Sequence, residues 1–464
     1  TLPMLKVSDL DQRNKPIPIA VAHAHGSTVL HHDLFTNGIA YLEAGFDMRA
    51  LSAESLPYVP LFGRALLEMG TTSEDYVKLS MRIGRKTGGV GRASLTSLRM
   101  DDGALASWFM LRGKATMAHT DDLLAIVYDV LTTTQLDNRE RFKQLVLQEK
   151  ARQEAGLIPS GNAFASSRMR AHFNAADWAA EQMGGISYLF FLRELAVAVE
   201  NDWPSVLAQL EAIRRALINR RMMLCNVTLD EANWRAFEPK LAGFVASLPA
   251  SPITLKHWRT PNVTTDGHAT HEGLTLPSKV NYVAKGANLY EVGYTSRGAT
   301  LVATRLLSIG YLHDKVRVMG GAYGGGCSFD RNTGVFGFSS YRDPNLLGTL
   351  DNYDGASEFL RRGDITQDEL DKNIIGLIGN LDFYQLPDAK GYTSMARYVT
   401  GVSDESRQQV RDEILATTIA DVRAFADALE HVKRHGTVVV LGSHEAIDAA
   451  NKERGGWMQV TKVM

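Results

Sequence analysis

The chain has 464 residues, 45% hydrophobic and 22% charged, an ordinary globular composition with material for two or three cores, which excludes a disordered chain. A formal net charge of -2 supplies no concentrated positive field, and so gives no reason to expect nucleic acid or an anionic membrane as partner. Two cysteines far apart, Cys225 and Cys327, exclude a disulfide scaffold and a thiolate zinc cluster and fit a reducing compartment, cytoplasmic or like an organelle matrix.

No run of about 18 apolar residues occurs, and no signal-peptide pattern is visible. The start at Thr1 rather than Met, leading into an extended-looking stretch, suggests a piece of a longer polypeptide or a processed chain. Alternating apolar positions over 35–48 predict a half-buried strand, and 56–69 reads as a helix. Strands at 92–99 and 104–113 flank the hairpin-type turn Asp101-Asp102-Gly103, and 121–131 returns to helical spacing. Helical patterns cover 139–154, 163–183 and 203–219. A closing strand is predicted at 221–228, with Asp230 placed to cap a helix running to about 245. Three prolines and several Thr, Asn and Gly residues then interrupt the patterning, which predicts a linker at 251–278 between a first domain at 1–250 and a second at 279–464.

The second half repeats the order of the first. Strands are predicted at 279–290 and 334–340, and helices at 299–312 and 347–362. Thr366-Gln-Asp-Glu369 has capping-box spacing before a further helix. The stretch 403–435 is strongly helical, 437–442 is a last apolar strand, and Ser443 is placed to cap a terminal helix. Two strand–helix–strand–strand–helices–strand units predict an α+β protein of two tandem domains, each a mostly antiparallel sheet covered by helices.

The richest local signal is Arg317-Val-Met-Gly-Gly-Ala-Tyr323-Gly-Gly-Gly-Cys-Ser-Phe-Asp330. In a regular strand, rising about 3.3 Å per residue, Arg317 and Tyr323 would stand roughly 20 Å apart. Positive φ at Gly320 and Gly321 permits the backbone to fold back, so that guanidinium and phenol converge on one substrate group. The run at Gly324 lacks the Lys-Ser/Thr of a phosphate loop and the spacing of a dinucleotide fingerprint; a glycine-rich sheet edge that pairs with peptide is the more economical reading. The bland alternative has Arg317 closing a helix C-terminus and Tyr323 packed on the sheet. Cys327 reads as a small packed residue, and Tyr341-Arg342-Asp343 as either a substrate-positioning loop or an Arg–Asp pair fixing a turn.

Together with 35–41 and 280–287, the segments Arg317 to Gly324 and Tyr341-Arg-Asp-Pro-Asn345 resemble the C-terminal half of the presequence-protease branch of the pitrilysin/insulinase-type zinc metallopeptidases, which is related to falcilysin. The resemblance covers essentially the whole chain. It implies two α/β-roll domains, the third and fourth of a four-domain clamshell that closes around unstructured peptides such as cleaved targeting peptides. It also implies that zinc is held by a separate N-terminal half through an H-x-x-E-H motif, whose Glu activates water. Arg317 and Tyr323 would then be auxiliary catalytic residues contacting substrate and oxyanion, with Gly320, Gly321 and Gly324 as substrate-binding backbone.

None of the 13 histidines forms an H-x-x-E-H motif. His268-x-x-His271-Glu272 and the group His23, His25, His31 and His32 are the nearest imitations; solvated or capping roles are expected for them, and no metal site in this chain. The expected partners are the N-terminal catalytic half and unstructured peptides, and the isolated chain is expected to be inactive. The alternative is a non-catalytic peptide-binding or scaffold subunit, similar to the zinc-free partner of a processing peptidase.

Overall fold

The computed structural model describes residues 5–258 and 271–464. Two six-stranded sheets organise them. The first is built from β1 (Ala20–Ala24), β2 (Ser27–His32), β3 (Ile39–Asp47), β4 (Val90–Leu98), β5 (Leu105–Thr116) and β6 (Met223–Thr228). The second is built from β7 (His271–Thr275), β8 (Tyr282–Asn288), β9 (Gly324–Phe329), β10 (Val335–Tyr341), β11 (Thr437–Gly442) and β12 (Met458–Lys462). Their spatial orders are β1-β2-β6-β3-β5-β4 and β12-β7-β11-β8-β10-β9. Five strands therefore superpose in order and direction: β2 with β7, β6 with β11, β3 with β8, β5 with β10 and β4 with β9. The β2–β6 and β7–β11 pairs are parallel, the three pairs beyond them antiparallel. Each sheet then adds its own far edge, a hairpin strand in the first and the parallel β12 in the second.

Local chemistry sets several boundaries as the sequence predicts. Gly103 takes φ +70 in the β4–β5 turn, and the Asp230 carboxylate accepts from the Asn233 amide at the head of the Glu231–Ser247 helix. Thr366 and Glu369 close a capping box, with the Glu369 amide donating to the Thr366 hydroxyl over 3.2 Å. The predicted 403–435 helix is instead three, Asp404–Leu415, Ile419–Ala424 and Ala426–His435, because Thr418 breaks off to cap the second.

The central strands are apolar on both faces, and their alternation assigns each face a different cover. In β8 and β11, Val283, Val438 and Val440 join the second unit's own helical core, while Tyr282, Ala284, Val439 and Leu441 meet Phe164, Ala165 and Met169. Those three residues belong to the Gly161–Arg170 helix of the first unit. Reciprocally, Leu30, Met110 and Leu224 of the first sheet pack under Met395 and Val399 of the second unit's Pro387–Val399 helix. Each unit thus lends a helix to the other's sheet. A buried ionic group ties the same seam. Glu272 of β7 accepts from Arg168 Nε at 3.0 Å and lies 2.6 Å from His172 Nε2. Burial alone would raise the Glu272 pKa, but the His172 hydrogen bond and the Arg168 charge pull it below the usual range.

The stretch expected as a linker, 251–278, is structured where it is described. The Trp258 indole is buried and donates to the Leu51 carbonyl, and β7 lies inside the second sheet between β11 and β12. Among the described residues no helix is long and apolar enough to cross a membrane.

Candidate functional site

The site forms where a helix runs into the second sheet's outer strand. The Gly298–Leu306 α-helix continues beyond its predicted end as π-helical turns, Leu307–Tyr311 and His313–Met319, and so carries Arg317. Such i→i+5 turns are rare and concentrate at functional sites. Two glycines end the helix. Gly321 takes φ +78 and donates to the Arg317 carbonyl at 3.0 Å, while the Ala322 amide donates to the Val316 carbonyl at 3.1 Å. At Gly320 a Cβ would come 2.6 Å from the Val316 carbonyl oxygen. The chain therefore turns sharply into β9, whose only strand partner among the described residues is β10; Gly324 opens the ladder opposite Tyr341.

This turn brings the Arg317 guanidinium carbon to 5.7 Å from the centre of the Tyr323 ring, against roughly 20 Å for extended backbone. Both side chains are exposed, Tyr323 by 67%, and among the described residues neither has an ion pair or side-chain hydrogen bond. Arg317 does lie in the last helical turn, where the dipole favours a cation. Its fork nevertheless points at no acidic residue, and the phenol keeps its hydroxyl free.

A rigid shelf supports the pair. Tyr341 meets the Tyr323 ring edge-on at 5.7 Å, and Arg342 stands 5.5 Å over Tyr341. Arg342 holds φ +48, costly for a non-glycine residue, and its carbonyl accepts from the Tyr323 amide. Asp343 is not an ion-pair partner of Arg342. It is fully buried, accepts from Thr349 Oγ1 at 2.7 Å and the Asn345 amide at 2.9 Å, and bridges to Asn281. Burial raises its carboxyl pKa. The Asn345 amide group donates to the Gly320 carbonyl at 2.6 Å, locking the turn. Sequence reasoning missed this role of Asn345 and the exposed apolar pair Val318 and Met319, 65% and 71% accessible beside Arg317; two large apolar residues directly before a glycine turn were the signal that could have found them.

Burial pushes the thiol pKa of Cys225 and of Cys327 up to about 12, and the Cys327 thiol donates to the Thr304 carbonyl, so both are packed and unreactive. Several of the candidate histidines are engaged elsewhere. His31 stacks on Trp234 at 4.4 Å, and both ring nitrogens of His32 are engaged by Pro18 and Asn226. His271, expected in a solvated loop, is a strand residue whose Nδ1 accepts from the Val438 amide; His268 lies outside the described residues. Among the described residues no three His, Cys, Asp or Glu converge as metal ligands.

Paired six-stranded sheets covered by helices define an α+β fold of two related units. Two family models match: the domain associated with M16 peptidases of subfamily C, over residues 1–195, and "PreP C-terminal domain", over residues 271–444. The chain thus matches both domain models, one in each half. It is 44% identical to presequence protease 1, chloroplastic/mitochondrial, of Arabidopsis thaliana over 465 residues, covering 100% of this chain and 42% of that protein. It is 28% identical to protein HypA of Clostridium perfringens over 448 residues, covering 96% of this chain and 45% of that one. The chain thus spans less than half the length of these relatives. A solved structure, the peptidase M16 inactive domain of Pseudomonas fluorescens, shares the fold with a TM-score of 0.66 at 18% identity, covering 92% of this chain and 98% of that one.

Proposed function

We propose that the chain is the C-terminal half of a clamshell zinc metalloendopeptidase that degrades short unstructured peptides, cleaved targeting peptides among them. In this reading it supplies chamber wall, substrate contacts and transition-state contacts, while the metal and its base lie on an N-terminal half. The observation that carries the reading is the Arg317–Tyr323 corner, 5.7 Å across, at the head of a strand with one free edge. An extended peptide pairs with such an edge through backbone alone, and glycines at 324–326 offer no side chains to select against sequence. Arg317 then holds a peptide carbonyl, and the Tyr323 hydroxyl donates to the oxygen that gains charge as the bond is attacked. A mitochondrial or plastid compartment is the location that fits the family.

The test uses the full-length enzyme with its N-terminal half. Arg317→Ala and Tyr323→Phe should each lower kcat on a quenched peptide by about 10²–10³, the cost of one oxyanion donor, with zinc content unchanged. Wild-type turnover in both variants would refute the assignment. The isolated 464-residue chain should cleave nothing; chelator-sensitive hydrolysis by it would refute the division of labour.

A further inference from the structure

The first sheet carries a second edge of the same design. β4 holds the place there that β9 holds in the second sheet, and among the described residues it too pairs on one side only, with β5. The sequence before it repeats the motif: Arg85-Lys-Thr-Gly88-Gly89 ends the Tyr76–Lys86 helix as Arg317-Val-Met-Gly320-Gly321 ends the other, and Gly89 takes φ +110. Beside β4 opens a cleft of about 720 Å³, within the size range of small-molecule and short-peptide sites. One wall is β4 itself, where Arg92, Ser94 and Thr96 alternate onto a single face; the other includes Gln153, Phe164 and Met183.

The cleft has one cation too many. Glu149, its buried carboxylate, is paired with Arg152 and lies 3.4 Å from Arg64, which also binds Glu68 at 2.8 Å. Two arginines, Arg92 and Arg152, thus line the cleft against one carboxylate, Glu149, and among the described residues Arg92 has no ion pair and no side-chain hydrogen bond. Its position is fixed nonetheless. Its stem crosses the Val59–Glu68 helix at Gly63, where a Cβ would come 2.9 Å from Arg92 Cδ. Deeper in, the fully buried Tyr188 hydroxyl also has no partner among the described residues. Arg92 is exposed, so its guanidinium is open to a ligand entering the cleft.

We propose that this cleft is a second peptide site, in which an extended segment adds to the free edge of β4 and sets a carboxylate against Arg92. Backbone pairing supplies sequence-tolerant affinity, as at β9, and the planar fork of Arg92 supplies preference for a carboxylate through paired N–H donors. The proposal rests on the reading of the chain as a peptide-binding half, and adds to it a second strand site with an acidic preference.

The test is fluorescence anisotropy on the 464-residue chain with three labelled, unstructured ten-residue peptides. One carries a central Glu and an amidated C-terminus, one a central Gln with the same amide, and one a central Gln with a free C-terminal carboxylate. The expected result is about tenfold tighter binding of at least one carboxylate-bearing peptide than of the carboxylate-free one, with the comparison of the two saying whether side chain or terminus is read. The preference should vanish in Arg92→Gln, fall in Arg92→Lys, which keeps charge but loses the fork, and persist in Tyr323→Phe. Amide hydrogen exchange should slow in β4 on binding. Equal affinities for the three peptides, an undiminished preference in both Arg92 variants, or no binding at all would overturn the proposal. Its failure separates from failure of the peptidase reading: lost acidic preference beside an intact Arg317→Ala defect in full-length turnover sinks only the Arg92 site, whereas Arg92-dependent binding beside normal Arg317→Ala turnover sinks only the peptidase reading.

Discussion

A methyl group at residue 321 would have to be carried at φ +78, a conformation that costs an L-residue about 1–2 kcal/mol. Gly321→Ala should therefore lower the stability of the chain by about that amount in urea denaturation, and in the full-length enzyme it should cut turnover more than its stability loss explains, because Arg317 and Tyr323 would lose their approach. An unchanged urea midpoint would show that the turn relaxes freely. The glycine pair made this convergence legible in the sequence, although only Gly321 takes the positive φ expected of both, Gly320 staying right-handed at φ -81. The π-helical turns that deliver Arg317 were not legible, since i→i+5 bonding is selected by packing around Val316, 1% exposed, rather than by any residue's propensity. His271 shows the opposite failure. A histidine beside a threonine and glycine run reads as loop, yet burial, with the charges of Lys285 and His172, lowers its pKa to about 4. The unfolded chain, with an ordinary histidine near 6.5, binds more protons below that pH, so this contribution to stability is complete above about pH 6.5 and is lost as pH falls toward 4. His32, also held low by burial, adds to the same window. Denaturation midpoints measured at about pH 7.5, 6 and 5 should fall in that order, and His271→Gln should flatten the decline; a slope identical to wild type would assign the effect elsewhere.

At the scale of elements, the exchanged helices carry the most testable consequences. Gly161 sits so close to Tyr282 that an added Cβ would run into the ring, and Gly161→Ala should cost about 1–3 kcal/mol as an overpacked contact. Met395 is fully buried over the first sheet, and Met395→Ala should cost about 2–5 kcal/mol through the cavity it leaves. Urea denaturation checks both, and a loss below about 0.5 kcal/mol in either case would mean that the helix is not seated as described. β3 was readable from its alternation, β4 and β5 from the hairpin turn between them, and β11 from a continuous apolar run. β7 was not, because the half-buried His271 and the buried Glu272 occupy two of its five positions and are held there by partners contributed from elsewhere. β12 escaped for a related reason: Gln459 and Val460 are exposed on an outer strand, so alternation is weak.

For the molecule as a whole, the duplicated order of elements was visible in the sequence, but the cross-covering of the sheets was not, since an apolar strand face does not say which helix will meet it. The seam predicts coupled unfolding. Calorimetry should give one transition for both units, and Met395→Ala and Gly161→Ala should shift that single peak rather than split it; two separated transitions would show that the borrowed helices are incidental. The same seam sets an order of events during synthesis. β6 ends at Thr228 and its covering helix begins at Pro387, about 160 residues later in the chain. At about 5–20 residues per second, the first sheet waits on the order of 10–30 s with Leu30, Met110 and Leu224 bare to solvent. A nascent chain of this design has a defined interval in which it needs a chaperone's shelter, and that interval closes only when the second unit emerges.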